Sequence, residues 1–153
     1  MGDVALLAPV LYALLSQYPH LTLSLLSLEK WRPIFNDHPR LNFIAAQTKG
    51  QHQGILGLWR LSRQLKALKP DAIVDLHQVL RSQILRSFLP GTSYPTAVID
   101  KGRQEKRALT KIKNKVFKPL PHTTDRYATA FAQLRFNVPL DHSALLPNPR
   151  SSA

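Results

Sequence analysis

The sequence predicts an α/β domain, a parallel sheet with helices on both faces. Three observations predict it. Short runs of Leu, Ile, Val and Phe alternate with longer segments whose apolar residues recur at helical spacing. Strands alternating with helices need crossover connections, and such crossovers make the strands parallel. With 153 residues, 44% of them hydrophobic, the chain has the length of about one domain and enough apolar content for one core.

The elements follow in order. Residues 4–15 form an apolar helix pattern ended by Pro19, with Asp3 placed to cap its N-terminus. Pro9 inside this run predicts irregular first turns, or a regular helix that begins near it. Residues 21–28 (LTLSLLSL) read as a buried strand, 31–36 as a short helix and 40–46 as a second strand. A polar loop over 47–53 holds Gly50 and His52. Residues 55, 58, 61, 65 and 68 are apolar and mark one helical face. Residues 71–76 are a strand with a β-branched centre, 79–89 a helix stopped by Pro90-Gly91, and 96–100 a fourth strand. Residues 103–117 and 123–136 read as helices. Residues 137–153, with Pro139, Pro147 and Pro149, read as a tail or linker. An α/β domain normally opens with a strand feeding its first helix, whereas this sequence opens at the turn. Met1 therefore reads as an internal methionine of a longer protein, with the first strand missing.

Several classes of chemistry are disfavoured. There is no cysteine, which removes disulfides, zinc ribbons and thiol nucleophiles and favours a reducing compartment. No apolar run approaches the ~20 residues of a membrane span. The phosphate-loop, dinucleotide-binding and nucleophile-elbow signatures are missing. The six histidines show no H-x-x-x-H pairing, so no metal site is expected.

Charge is the first positive clue. Lys plus Arg number 21 against 9 for Asp plus Glu, a formal charge of +12. The excess is concentrated in the second half. Residues 101–118 hold eight basic groups against Glu105 alone, and Arg103, Arg107, Lys111 and Lys115 recur as one stripe beside Leu109, Ile112 and Val116. Such a field attracts a polyanion: nucleic acid, an anionic membrane or a phosphorylated substrate. The plainer reading is a solvated charged face.

In a doubly wound sheet, ligands bind at the carboxyl ends of the strands. The residues there are Gly2-Asp3, Asp75-Leu76-His77 and Asp100-Lys101-Gly102-Arg103. A carboxylate at such an edge takes a proton from a substrate hydroxyl, and basic groups hold phosphate. Each has a plainer role. Asp3 is a fair helix cap. Asp75 and Asp100 tie down loop amides. His77 is most simply a packed or satisfied histidine.

At these edges the chain resembles the N-terminal half of glycosyltransferase family 9, the lipopolysaccharide heptosyltransferases. Residues 2–9 (GDVALLAP) look like that family's G-D-x-x-x-x-x-P opening. Residues 75–82 (DLHQVLRS) look like its D-x-x-x-x-x-R-S segment. Residues 100–107 (DKGRQEKR) are similar to its next basic loop, and 122–126 (HTTDR) to an H-x-x-[ED]-R segment. In order, these four cover about residues 1–136. The resemblance implies a Rossmann-like, acceptor-binding domain over 1–136 of a two-domain GT-B enzyme, with 137–153 leading toward a donor domain that is absent. It implies inverting transfer of a heptose-type sugar from a nucleotide-sugar co-substrate, usually ADP-heptose, to a phosphorylated lipid A/Kdo-type acceptor. It implies no cofactor, no metal, and work at the cytoplasmic face of an anionic inner membrane. Asp3 is similar to the general base, and Arg103, His122 and Arg126 look like acceptor-binding positions. Lys101 and Arg107 join them by charge and proximity. On this pattern the chain alone is expected to be inactive.

The alternative is a non-catalytic basic α/β module that binds nucleic acid or another polyanion. Aromatic residues are only 8% and none interleaves with residues 101–116, so a base-stacking platform is not evident and nucleic acid is disfavoured.

A first strand belongs at the centre of such a sheet, between strands 21–28 and 41–46 on one side and 71–76 and 96–100 on the other. Without it, a gap opens or the halves pair differently. An open gap exposes unpaired backbone and side chains such as Ile73 and Val74. The isolated chain is expected to be poorly soluble, and the DNA upstream of Met1 to encode about 6–10 apolar, β-branched residues in frame. Expression with and without that extension tests this. Cooperative unfolding of the short form at a normal temperature, with no gain from the extension, would refute it.

Overall fold

The computed structural model describes residues 2–35, 38–89, 94–102, 120–138 and 140, with the backbone alone at Gly2 and Asp3. The first helix, α1, spans Gly2–Gln17 and runs through Pro9 without a break. This corrects the expected irregular start. Proline removes the hydrogen bond to the carbonyl four residues earlier, that of Ala5. Ala5 is exposed, so that carbonyl faces the solvent side. The opposite side of α1 is the centre of the core. Val10, Leu14 and Leu15 are fully buried and Leu11 nearly so.

Strand β1 (Leu23–Ser27) pairs in parallel with β2 (Leu41–Ala45), from Leu23 opposite Leu41 to Ser27 opposite Ala45. Between them lies a 3-10 helix, Glu29–Ile34, tightened around Pro33 and clipped by an ion pair from Arg32 Nε to Glu29 Oε1 at 2.5 Å. Helix α2 spans Gly54–Ala67. Strand β3 (Ile73–Asp75) pairs in parallel with β4 (Thr96–Val98), Ile73 opposite Thr96. Helix α3 spans Leu80–Phe88 and α4 spans Thr123–Ala132. The element order matches the sequence reading. The expected helix over 103–117 lies outside the described residues, as does most of the tail.

The α/β architecture with parallel strands stands, but not as one sheet. The described strands form two separate two-stranded sheets. Alternation along the strands assigns their faces. Leu23, Leu25, Phe43 and Val74 pack toward the α1 cluster, which includes Phe35, Ile99, Tyr127, Ala130 and Phe131. Leu58, Leu61 and Leu85 are buried outside that cluster, on α2 and α3, which pack against each other. The α1 cluster takes side chains from both strand pairs, α4 packs on α1, and α2 packs on α3. Ile73 and Val74 are half-buried.

Helix α4 stops earlier than the apolar pattern to Phe136 predicts. Arg135 takes a left-handed φ of 65°, and the Phe136 and Arg135 amides donate to the carbonyls of Phe131 and Ala132. This is the Schellman arrangement. It turns Phe136 edge-on to Tyr18, with ring centroids 5.2 Å apart.

One side chain closes the other end of the core. The Arg40 guanidinium donates to the carbonyls of Leu15, Tyr18, Pro19 and Leu21 at 2.5, 2.9, 2.8 and 3.1 Å. Carbonyls at a helix C-terminus lack intrahelical partners and carry partial negative charge, so a cation suits them twice over. Arg40→Ala is expected to lower unfolding free energy by about 1.5–3 kcal/mol, the range for hydrogen bonds to a charged group. Arg40→Lys should recover part of it. Urea titration of the variants checks this.

Candidate functional site

The best-defined edge follows β4. Asp100 Oδ1 accepts the Gly102 amide at 2.8 Å, closing a tight Asp-x-Gly turn. Gly102 is buried with a φ of +58°. A Cβ there would overlap the Arg126 guanidinium, which leaves glycine as the residue that fits. Arg126 Nη1 also donates to the Asp100 carbonyl at 3.1 Å. Arg126 stands in the second turn of α4, so this side chain ties the helix to the loop.

His122 is the N-cap of α4. Its backbone amide donates to Asp125 Oδ2 at 3.2 Å, and its ring Nδ1 lies 2.9 Å from Thr124 Oγ1. His122 and Arg126 are four apart and share one helix face. Lys101 is half-buried in the loop that Arg126 grips. The structure therefore places the Arg126 guanidinium against the loop that carries Lys101 at the carboxyl end of β4, with His122 capping the helix that carries Arg126. Arg103 and Arg107 lie outside the described residues. Arg103 directly follows Gly102 in the chain. Asp3 stands within the first turn of α1, past the cap position expected for it, and its side chain lies outside what the structure describes.

The edge after β3 has the plainer role. Asp75 is buried, and its Oδ1 accepts the His77 and Gln78 amides at 3.0 and 2.8 Å. Its Oδ2 faces Arg86 Nε at 3.7 Å. Ser82 Oγ accepts the Val79 amide at 3.0 Å, which caps α3. Asp75 and Ser82 thus hold the turn that carries Gln78 at a φ of 43°. His77 corrects the sequence reading. Its side chain is exposed rather than packed, because the carboxylate takes its amide and the turn throws the ring outward. In the loop after β2, His52 is the buried histidine, 2% exposed, with Nδ1 accepting the Gln47 amide at 3.0 Å.

Gly102 stands in the edge segment that the sequence marks, but its role as the seat of the Arg126 guanidinium is visible only in the structure. The turn alone is signalled by the Asp100-Lys101-Gly102 triplet, since glycine two residues after aspartate supplies the left-handed conformation. Away from this edge, on the 3-10 helix, the side-chain hydrogen bond from Arg32 holds the Glu29 carboxyl below its ordinary value. Among the described residues no group of three or more His, Asp and Glu is placed to hold a metal ion, and no helix is long and apolar enough to cross a membrane.

A solved structure of a family 9 glycosyl transferase from Veillonella parvula superposes on the chain with a TM-score of 0.64, over 90% of this chain and 39% of that one. The chain shares its fold with part of that transferase. Sequence identity is 24%, so the likeness is one of architecture. The GT-B-type α/β reading rests on it, and the chain spans well under half the length of this relative. No protein-family model and no curated protein matches the chain.

The Gly102–Arg126 contact yields a double-mutant test. Gly102→Ala is expected to cost about 1–2 kcal/mol from left-handed strain alone, plus the displacement of Arg126. In an Arg126→Ala background the second part should vanish. Thermal unfolding of the four proteins checks the coupling. Strict additivity would mean that the guanidinium does not occupy that space.

Proposed function

We propose that this chain is the acceptor-side domain of an inverting glycosyltransferase. The observation that carries the reading is the fold likeness over nearly the whole chain, joined to cations gathered at a strand's carboxyl end. In such α/β sheets that edge is where ligands sit. On this reading the acceptor is an amphiphile bearing phosphates, of the lipid A/Kdo type. The donor is a nucleotide-sugar, with ADP-heptose the expected one, held by a second domain. No metal or cofactor takes part, and the work is done at the cytoplasmic face of the inner membrane.

The chemistry asked of this chain is limited. A displacement at an anomeric carbon needs a deprotonated acceptor hydroxyl, and a carboxylate within hydrogen-bond reach serves as base. Asp3 is assigned that role, at the start of α1. Arg126, Lys101 and His122 hold acceptor phosphate at the β4 edge, where an arginine fork matches phosphate geometry. Arg103 and Arg107 extend the same field along the chain.

Calorimetric titration separates the two halves of the reading. The chain is expected to bind a phosphorylated Kdo–lipid A acceptor and not ADP-heptose. Replacing Arg103 and Arg126 with Gln should weaken acceptor binding by about 100-fold or more, at roughly 1.5–3 kcal/mol per charged hydrogen bond, and flatten its salt dependence. In an enzyme carrying both domains, Asp3→Asn should lower turnover by roughly 100-fold with little loss of stability. Donor binding without acceptor binding, or near-normal turnover of Asp3→Asn, would overturn the assignment.

A further inference from the structure

The exposed face of α2 is unusual in composition. Leu56 is 73% exposed, Ile55 65% and Trp59 46%. Arg60, Arg63 and Lys66 are exposed on the same helix, and α2 contains no acidic residue. At 100° per residue these six side chains fall within an arc of roughly 140°. They are also sorted along the axis. The three apolar residues occupy the first turns, and the three cations follow. Arg63 Cζ stacks 5.3 Å from the Trp59 ring centroid. Trp59, Arg63, Lys66 and Ala67 line a shallow open depression. The buried side of α2, with Leu58 and Leu61, is already spent on the fold.

We propose that this face of α2 docks the protein on an anionic lipid surface. The N-terminal turns of α2 enter the interfacial layer, and the basic residues behind them rest on acidic headgroups. Three observations select a bilayer over other occupants. An apolar tip followed by a basic shaft matches the gradient from acyl chains to phosphates. Tryptophan favours that boundary, because its ring is apolar and its N–H is polar. The formal charge of +12 repels a second copy of the chain, and the centres of protein–protein patches are depleted of charge, whereas half of this face is cationic. The inference deepens the proposed function, resting on it only in placing the acceptor in a membrane. It stands on α2 alone.

The test uses the full chain and vesicles free of lipopolysaccharide, so that it does not depend on acceptor recognition. Phosphatidylcholine vesicles with and without phosphatidylglycerol are floated with the protein, and bound protein is quantified. The sequence has two tryptophans, so Trp31→Phe leaves Trp59 as the reporter. Binding is expected to the anionic vesicles and not to the neutral ones, with a blue shift of Trp59 emission. Replacing Arg60, Arg63 and Lys66 with Gln should weaken it by about 100-fold, at roughly 5-fold per basic residue near the surface. Replacing Ile55 and Leu56 with Ser should abolish the blue shift. All five side chains are exposed, and circular dichroism confirms that the variants fold. Binding that survives these changes, equal binding to neutral vesicles, or no blue shift would overturn the proposal. So would self-association through this face, or binding to RNA, in a protein that ignores vesicles. Failure here with acceptor binding intact refutes the docking face alone. Loss of acceptor binding with vesicle binding intact refutes the transferase reading alone.

Discussion

Everything in this fold hangs on the buried side of α1. Val10, Leu11, Leu14 and Leu15 are at most 3% exposed. Burying four such side chains gives a gross stabilisation of roughly 6–12 kcal/mol, comparable to the net stability of about 5–15 kcal/mol typical of a domain. The dependence is heightened by the strands. Because β1–β2 and β3–β4 do not join, backbone hydrogen bonds hold each pair internally but do nothing to hold the two together. The pairs are united by side-chain packing in the α1 cluster. A cavity in α1 would therefore loosen the relation between halves as well as lower stability, since nothing in the described sheets resists their separation.

The same shortage of ladder bonds explains why side chains cover so much backbone. At β4, Gln133 takes the place of a strand. Its Oε1 accepts the Val98 amide at 3.3 Å and its Nε2 donates to the Val98 carbonyl at 3.1 Å. An amide side chain offers the donor and acceptor of a peptide group, so it satisfies one residue of a sheet edge and blocks it against pairing with other chains. Arg40 does the equivalent for the end of α1, and Asp75 and Asp100 for the turns after their strands. These polar residues are few and local. Each spends hydrogen bonds on main chain at the end of an element, where backbone partners run short.

Legibility in the sequence followed the length of the pattern. Strand and helix order could be read because the spacing of Leu, Ile and Val changes between residues 21–46, 55–68 and 71–76. The ends were read less well. Pro9 carries a strong breaker signal, yet tertiary burial of the residues after it outweighed one lost hydrogen bond on an exposed flank. The end of α4 depends on Arg135 adopting a conformation that glycine normally supplies, so no residue announced it. At the site, Asp75 and Asp100 were recognisable as edge carboxylates, and their loop-holding role was the simpler of two readings. What the sequence could not reveal was that Arg126, 26 residues beyond Asp100, would close over Gly102. That is a tertiary contact with no local pattern.

That contact also fixes a cation at the edge. Arg126 Nη1 donates to the Asp100 carbonyl, while Asp100 Oδ1 accepts the Gly102 amide within its own loop, so one residue of the turn holds both the helix side chain and the glycine in register. Asp75 Oδ1 and Asp125 Oδ2 likewise accept backbone amides, and Asp75 Oδ2 also faces Arg86. These carboxylates therefore hold turns and caps in place, while 21 basic groups against 9 acidic ones leave the chain with a net positive charge that draws a polyanion from a distance whatever the local pairing.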